Sequence, residues 1–154
     1  TSMSSKALQP AAARLYDQDF FTWTMETARL LRDGRFSELD IEHLAEEIED
    51  MGKSEGREVR SRLRIILTHL LKWKWQPAKR SPSWRATLRT QRQELRDVFR
   101  DSPSLRRSVA PSLLDVYPDA IEGASDETGL PIHTFPADCP FTEDQVLDTR
   151  FLPD

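Results

Sequence analysis

Between residues 54 and 75 the side chains Val59, Leu63, Ile66, Leu70 and Trp73 recur at spacings of four, three, four and three. Those spacings place all five on one stripe of an α-helix, whereas a strand, alternating every second residue, would scatter them over both faces. Pro77 predicts the stop just after Trp75. The ten prolines all lie outside 11–76, so nothing in the N-terminal half forbids long helices. A first helix is predicted from Asp17 to Arg32, ended by Gly34, with Phe20, Trp23, Leu30 and Leu31 facing a core and Phe21 flanking them. A second runs from Ser37 to Met51, with Ser37 as N-cap, Asp40 three residues on and Gly52 at C′. It should form a hairpin with the 54–75 helix around Gly52 and Gly56. A fourth spans Ser83–Arg100, where Trp84, Leu88, Leu95 and Phe99 make the apolar stripe and Ser102-Pro103 closes it.

Beyond Pro103 the signals shorten. A helix is expected between Ser104 and Val116, bent or split at Pro111, then shorter ones over Pro118–Glu127 and Thr142–Leu147. The remaining coil, LPIHTFPADCPF and TRFLPD, carries Ile132, Phe135, Phe141, Phe151 and Leu152, and should wrap over the helices. The expected fold is all-α: an antiparallel helical bundle of about four main helices with a C-terminal coil and short-helix wrap. Residues 1–15 read as a flexible tail and 16–154 as a single domain, a length that can bury a real core.

No apolar run approaches the roughly 18 residues that a membrane span needs. The N-terminal stretch lacks the apolar segment of a secretory signal. A single cysteine, Cys139, excludes an internal disulfide and points to a reducing compartment, the cytoplasm. The net charge of −4 conceals three blocks. Residues 1–52 hold 5 Lys and Arg against 11 Asp and Glu (net −6), residues 53–107 hold 16 against 5 (+11), and residues 108–154 hold 1 against 10 (−9). Either acidic and basic helices neutralise one another within the fold, or a basic face is left for an anionic partner.

The acidic stretch LDIEHLAEEIEDMG, residues 39–52, is the first candidate site. On a helical wheel Ile41, Leu44, Ala45 and Ile48 cluster on one face, with Met51 at its margin. Glu42, Glu46 and Glu49 line one side; Asp40, His43, Glu47 and Asp50 lie on the other side and behind. A metal site in a bundle needs carboxylates and imidazoles projecting inward from facing helices. Here His43, Glu46 and His69 are the metal-ligand candidates, without a second acidic-His pair near His69. As a catalytic base His69 would need an orienting carboxylate, Glu46 or Glu49 across the helix pair. Cys139 has no activating base near it in sequence, and there is no glycine-rich phosphate loop. The second candidate is basic. Arg85, Arg89, Arg92, Arg96 and Arg100 recur at four, three, four and four, and upstream Lys72, Lys74, Lys79 and Arg80 interleave with Trp73, Trp75 and Trp84. Such a stripe can neutralise phosphates, and exposed aromatics can stack on unpaired bases.

Several blocks in order, YDQDFFTWTMETARLLRDGRFSELDIEHLAEEIEDMG, HLLKW, SWRATLRTQRQELRD, SPSL and FPADCPFT, resemble the DUF29 family, small bacterial proteins abundant in cyanobacteria. The resemblance extends from about Tyr16 to Pro153. It implies an all-α bundle of this length and brings no activity, cofactor or catalytic residue with it. The expected function is that of a non-enzymatic protein-interaction module, binding an unknown protein partner or a second copy, with no cofactor and no membrane contact. Lys72, Lys74, Arg85, Arg89, Arg92 and Arg96 are its expected contact residues. The alternatives are a nucleic-acid-binding protein using the Arg stripe 85–100, and a metal-binding bundle enzyme using His43, Glu46 and His69.

Overall fold

A computed structural model describes residues 11–154. Among them six α-helices and four short 3-10 turns account for all regular structure, and no strand is present. The helices are α1 (Ala11–Gln18), α2 (Phe20–Arg32), α3 (Ile41–Trp75), α4 (Pro82–Asp101), α5 (Val109–Thr128) and α6 (Glu143–Leu147). They form an all-α helical bundle fold. The chain divides into two compact units, residues 1–53 and 54–154, and the division falls inside α3. The expected tail over 1–15 falls mostly outside the described residues; its last part, Ala11–Leu15, is the first turn of α1 and beyond.

In the first unit the helix predicted from Asp17 is broken at Asp19. Its carboxylate accepts the backbone N–H of Thr22 at 3.0 Å and starts α2 as a separate helix. Trp23, Thr27, Leu30 and Leu39 are buried. Phe20 and Leu31, expected in this core, are instead exposed, as Phe21 is. Gly34, at φ +71, ends the α2 segment, and a 3-10 turn over Phe36–Glu38 replaces the predicted helix start at Ser37. Asp40 opens α3, its Oδ1 facing the backbone N–H of His43 at 3.4 Å.

The expected hairpin at Gly52 and Gly56 does not form: residues 41–75 are one continuous helix. Neither glycine adopts the left-handed conformation a turn would need, and helix-interior glycine costs only about 1 kcal/mol against alanine.

The second unit is built on the apolar stripe read from the sequence. Val59, Leu63, Ile66 and Leu70 are fully buried against Leu88 and Leu95 of α4 and Val109, Leu113, Val116 and Ala120 of α5. Contacts Glu55–Ser102, Arg62–Gln91 and Lys72–Trp84 set α4 antiparallel to α3. Thr68–Gly123 and Lys72–Glu127 set α5 parallel to it. The helix expected to bend at Pro111 runs whole from Val109 to Thr128. Pro111 sits in its first turn, where no backbone N–H is required; Pro118 occupies an exposed position where water can meet the freed carbonyl. Gly129, at φ +75, ends α5. The C-terminal segment wraps as predicted, with Phe135, Phe141 and Val146 in the core and Phe151 and Leu152 packed against it, though Ile132 stays exposed.

Candidate functional site

Part of the basic block is committed to holding the second unit together. Lys72 is buried, its Nζ 4.6 Å over the Trp84 ring and 3.4 Å from Glu127. Arg80 and Arg85 both lie over Trp73, at 5.0 and 5.4 Å, and Arg80 Nε donates to the Trp73 carbonyl at 2.8 Å. Lys74 covers Trp75 at 5.3 Å. The alternation of Lys and Trp is thus a set of cation–π contacts within the chain, and those ring faces are occupied.

Arg92 departs most from the expected contact surface. It is only 3% exposed and donates to the carbonyls of Val146 (2.9 Å), Gln145 (3.1 Å) and Phe151 (2.9 Å). Burial pushes its pKa down to about 10, so the charge persists at neutral pH. Arg92 and Lys72 are therefore corrected from surface contacts to internal ties, because the C-terminal wrap and α5 cover them. Lys74, Arg85, Arg89 and Arg96 remain exposed.

His43 and Glu46 belong to the first unit and His69 to the second, 26 residues (69 − 43) further along α3. The facing helix on which Glu46 or Glu49 would have oriented His69 does not exist, since all three are on α3. His69 is half-buried and donates through Nδ1 to the Ile65 carbonyl at 2.9 Å. Burial, reinforced by Lys72, lowers its pKa and keeps the ring neutral. Among the described residues no group of three or more His, Cys, Asp or Glu side chains is placed to hold a metal ion. The Cys139 thiol is held protonated by burial, with Sγ 3.5 Å from the Phe141 carbonyl, which is the opposite of an activated nucleophile.

The first unit contains a pairing that the sequence reading missed. Buried Asp40 accepts from His43 Nδ1, and Tyr16 of α1 stacks on the imidazole with centroids 3.8 Å apart and planes 11° from parallel. The Tyr16 hydroxyl donates to Glu47, which pushes its pKa up to about 12. The hydrogen bond to Asp40 raises that of His43. Asp40 three residues before His43 at a helix start was the available signal, since i and i+3 share a face. The polar side of 40–50 thus packs on α1, and the apolar side faces out.

That inversion leaves Ile41, Ile48 and Met51 exposed at 60%, 60% and 70%. Together with Phe20, Phe21, Met25, Leu31 and Phe36 they are eight of the ten exposed large apolar side chains among the described residues. Leu114 and Ile132 are the others. Internal neutralisation is also uneven. The C-terminal acidic block pairs with the basic one through Lys72–Glu127, Arg106–Glu143 and Arg106–Asp144. Among the described residues Glu42, Glu46, Glu49 and Asp50 form no ion pair.

Two further buried polar atoms in this unit, Trp23 Nε1 and Thr27 Oγ1, have no hydrogen-bond partner among the described residues. Among the described residues no helix is long and apolar enough to cross a membrane. The family model described as "Domain of unknown function DUF29" matches residues 15–152. No curated protein and no solved structure matches the chain.

Proposed function

This chain belongs to the DUF29 family, and we propose that it is a non-enzymatic protein-interaction module. One observation carries the reading: the exposed large apolar side chains are concentrated in residues 20–51 and nearly absent from the second unit. Single apolar residues on a surface are ordinary, but a concentration in one small unit marks a contact surface. The contact surface therefore moves from the charged faces of the long helices to the first unit. A single cysteine fits a reducing compartment, and the reading places the module in the cytoplasm.

A photo-crosslinking residue at position 48, introduced in the cells that make the protein, tests this. A discrete adduct that is lost on Ile41→Ser with Met51→Ser is expected; absence of any protein adduct refutes the reading. The nucleic-acid alternative rests on exposed Arg85, Arg89 and Arg96, which form no ion pair among the described residues. It requires salt-sensitive retention of DNA or RNA that Arg85→Ala with Arg89→Ala and Arg96→Ala abolishes; no retention at low salt disposes of it.

A further inference from the structure

We propose that the outward row of α3 formed by Ile41, Leu44, Ile48 and Met51 docks the apolar face of a basic amphipathic helix from a partner protein. The inference rests on the interaction-module reading and names the surface and the partner class. The four side chains recur at three, four and three, the spacing by which one helix receives the side chains of another. Three of them are at least 60% exposed, while Leu44 is half-buried and anchors the row to its own unit.

Gly52 lies at the end of the same row, and a Cβ built there would meet nothing within 4 Å. Its backbone is helical, so neither the turn geometry nor the chain's own packing calls for glycine. In an exposed helix it forfeits about 1 kcal/mol against alanine. The space it leaves beside Ile48 and Met51 suits a side chain supplied from outside.

Charge selects among the occupants. From 39 to 52 there are six carboxylates and no Lys or Arg. Glu42 and Glu49 lie just beyond Ala45 on one flank of the row, without an ion pair among the described residues, where the long cationic side chains of a docked helix would reach them. A second copy presenting the same face would set those carboxylates against their equals, which is destabilising. Its basic helices offer no exposed apolar row in exchange, since Leu114 and Ile132 are the second unit's only exposed large apolar residues among those described. A partner helix flanked by Lys and Arg satisfies both the row and its border.

The test uses the full chain and two labelled helical peptides with the same apolar face, one flanked by Lys and Arg and the other by Glu. Binding is followed by fluorescence anisotropy at low and high salt. The basic peptide is expected to bind at least about tenfold more tightly at low salt, with the preference collapsing at high salt as screening grows. Ile48→Ser and Met51→Ser should each weaken binding about tenfold, given the apolar area each side chain still exposes. Both positions are exposed, so the variants should keep their helix signal in circular dichroism. Glu42→Gln with Glu49→Gln should erase the preference and leave residual affinity. Equal binding of the two peptides overturns the basic partner and leaves the module reading intact. Binding of neither peptide also overturns it, and the crosslink at position 48 then decides separately whether the module reading falls. A concentration-dependent dimer in sedimentation velocity, dispersed by Ile48→Ser, overturns it in favour of a second copy.

Discussion

Replacing Arg92 with alanine should loosen the C-terminal wrap from the second unit before it harms any exposed surface. The buried guanidinium holds the carbonyls of Gln145, Val146 and Phe151 at 3.1, 2.9 and 2.9 Å. Hydrogen bonds to a charged donor contribute roughly 1.5–3 kcal/mol each, so three of them contribute about 4.5–9 kcal/mol. Against this stands the cost of burying the charge. The pKa falls from 12.5 to about 10, which corresponds to about 3 kcal/mol. The folded pKa of this base is depressed, so that penalty is in full force at neutral pH and is relieved only as pH rises above about 10. The balance is a net stabilisation of about 1.5–6 kcal/mol, and alanine additionally leaves a void and strands buried acceptors. Urea unfolding should show a loss of about 3 kcal/mol, and limited proteolysis should cut within 136–154 well before the helices. Arg92→Lys should recover only part, because a single ammonium cannot replace the three-way fork. A loss below about 0.5 kcal/mol with unchanged proteolysis would refute the assignment of Arg92 as the tie.

The Asp40–His43 pair predicts a pH dependence: the folded His43 pKa is raised, so its stabilisation is fully present below about 6.5 and is lost as pH rises through the folded value. Proton NMR titration should place His43 above an unperturbed histidine, and His43→Asn should flatten that part of the stability profile. Tyr16 should titrate near 12 in ultraviolet absorbance, and Glu47→Gln should bring it back towards 10. The glycines should respond with opposite signs in thermal unfolding. Gly129→Ala, at φ +75, should destabilise by about 1 kcal/mol, and Gly52→Ala, in open helical space, should stabilise by about as much.

The seam from Val59 to Trp73 and the stop at Pro77 were legible because periodicity and proline chemistry are local. So was the wrap, read from Phe135, Phe141, Phe151 and Leu152, which all pack on the core, though Ile132 of the same set stays in water. The error over Phe20 and Leu31 has a plain cause: an apolar residue on the right side of a helix still needs a neighbour, and of the large apolar side chains of α2 the first unit covers only Trp23 and Leu30. The hairpin at Gly52 and Gly56 failed for a related reason. Glycine permits a turn without demanding one, and a continuous helix costs little when its second half is buried on every turn.

Two residue pairs mark the limit of a one-dimensional reading. Arg92 shares its stripe with Arg85, Arg89 and Arg96, yet it alone meets the returning C-terminal carbonyls. A wheel describes directions from one helix axis and is blind to which distant segment passes by. His43 and Ile48 reverse the usual expectation in the same way, the polar side meeting Tyr16 and the apolar side meeting solvent. The sequence by itself determined the helical class, the long central seam, the helix-stopping prolines and the three charge blocks, all of which follow from nearest-neighbour spacing and composition. Only the tertiary structure decided which cations are internal ties, which carboxylates stay unpaired and which apolar row is left uncovered, because burial depends on contacts between segments far apart in the chain.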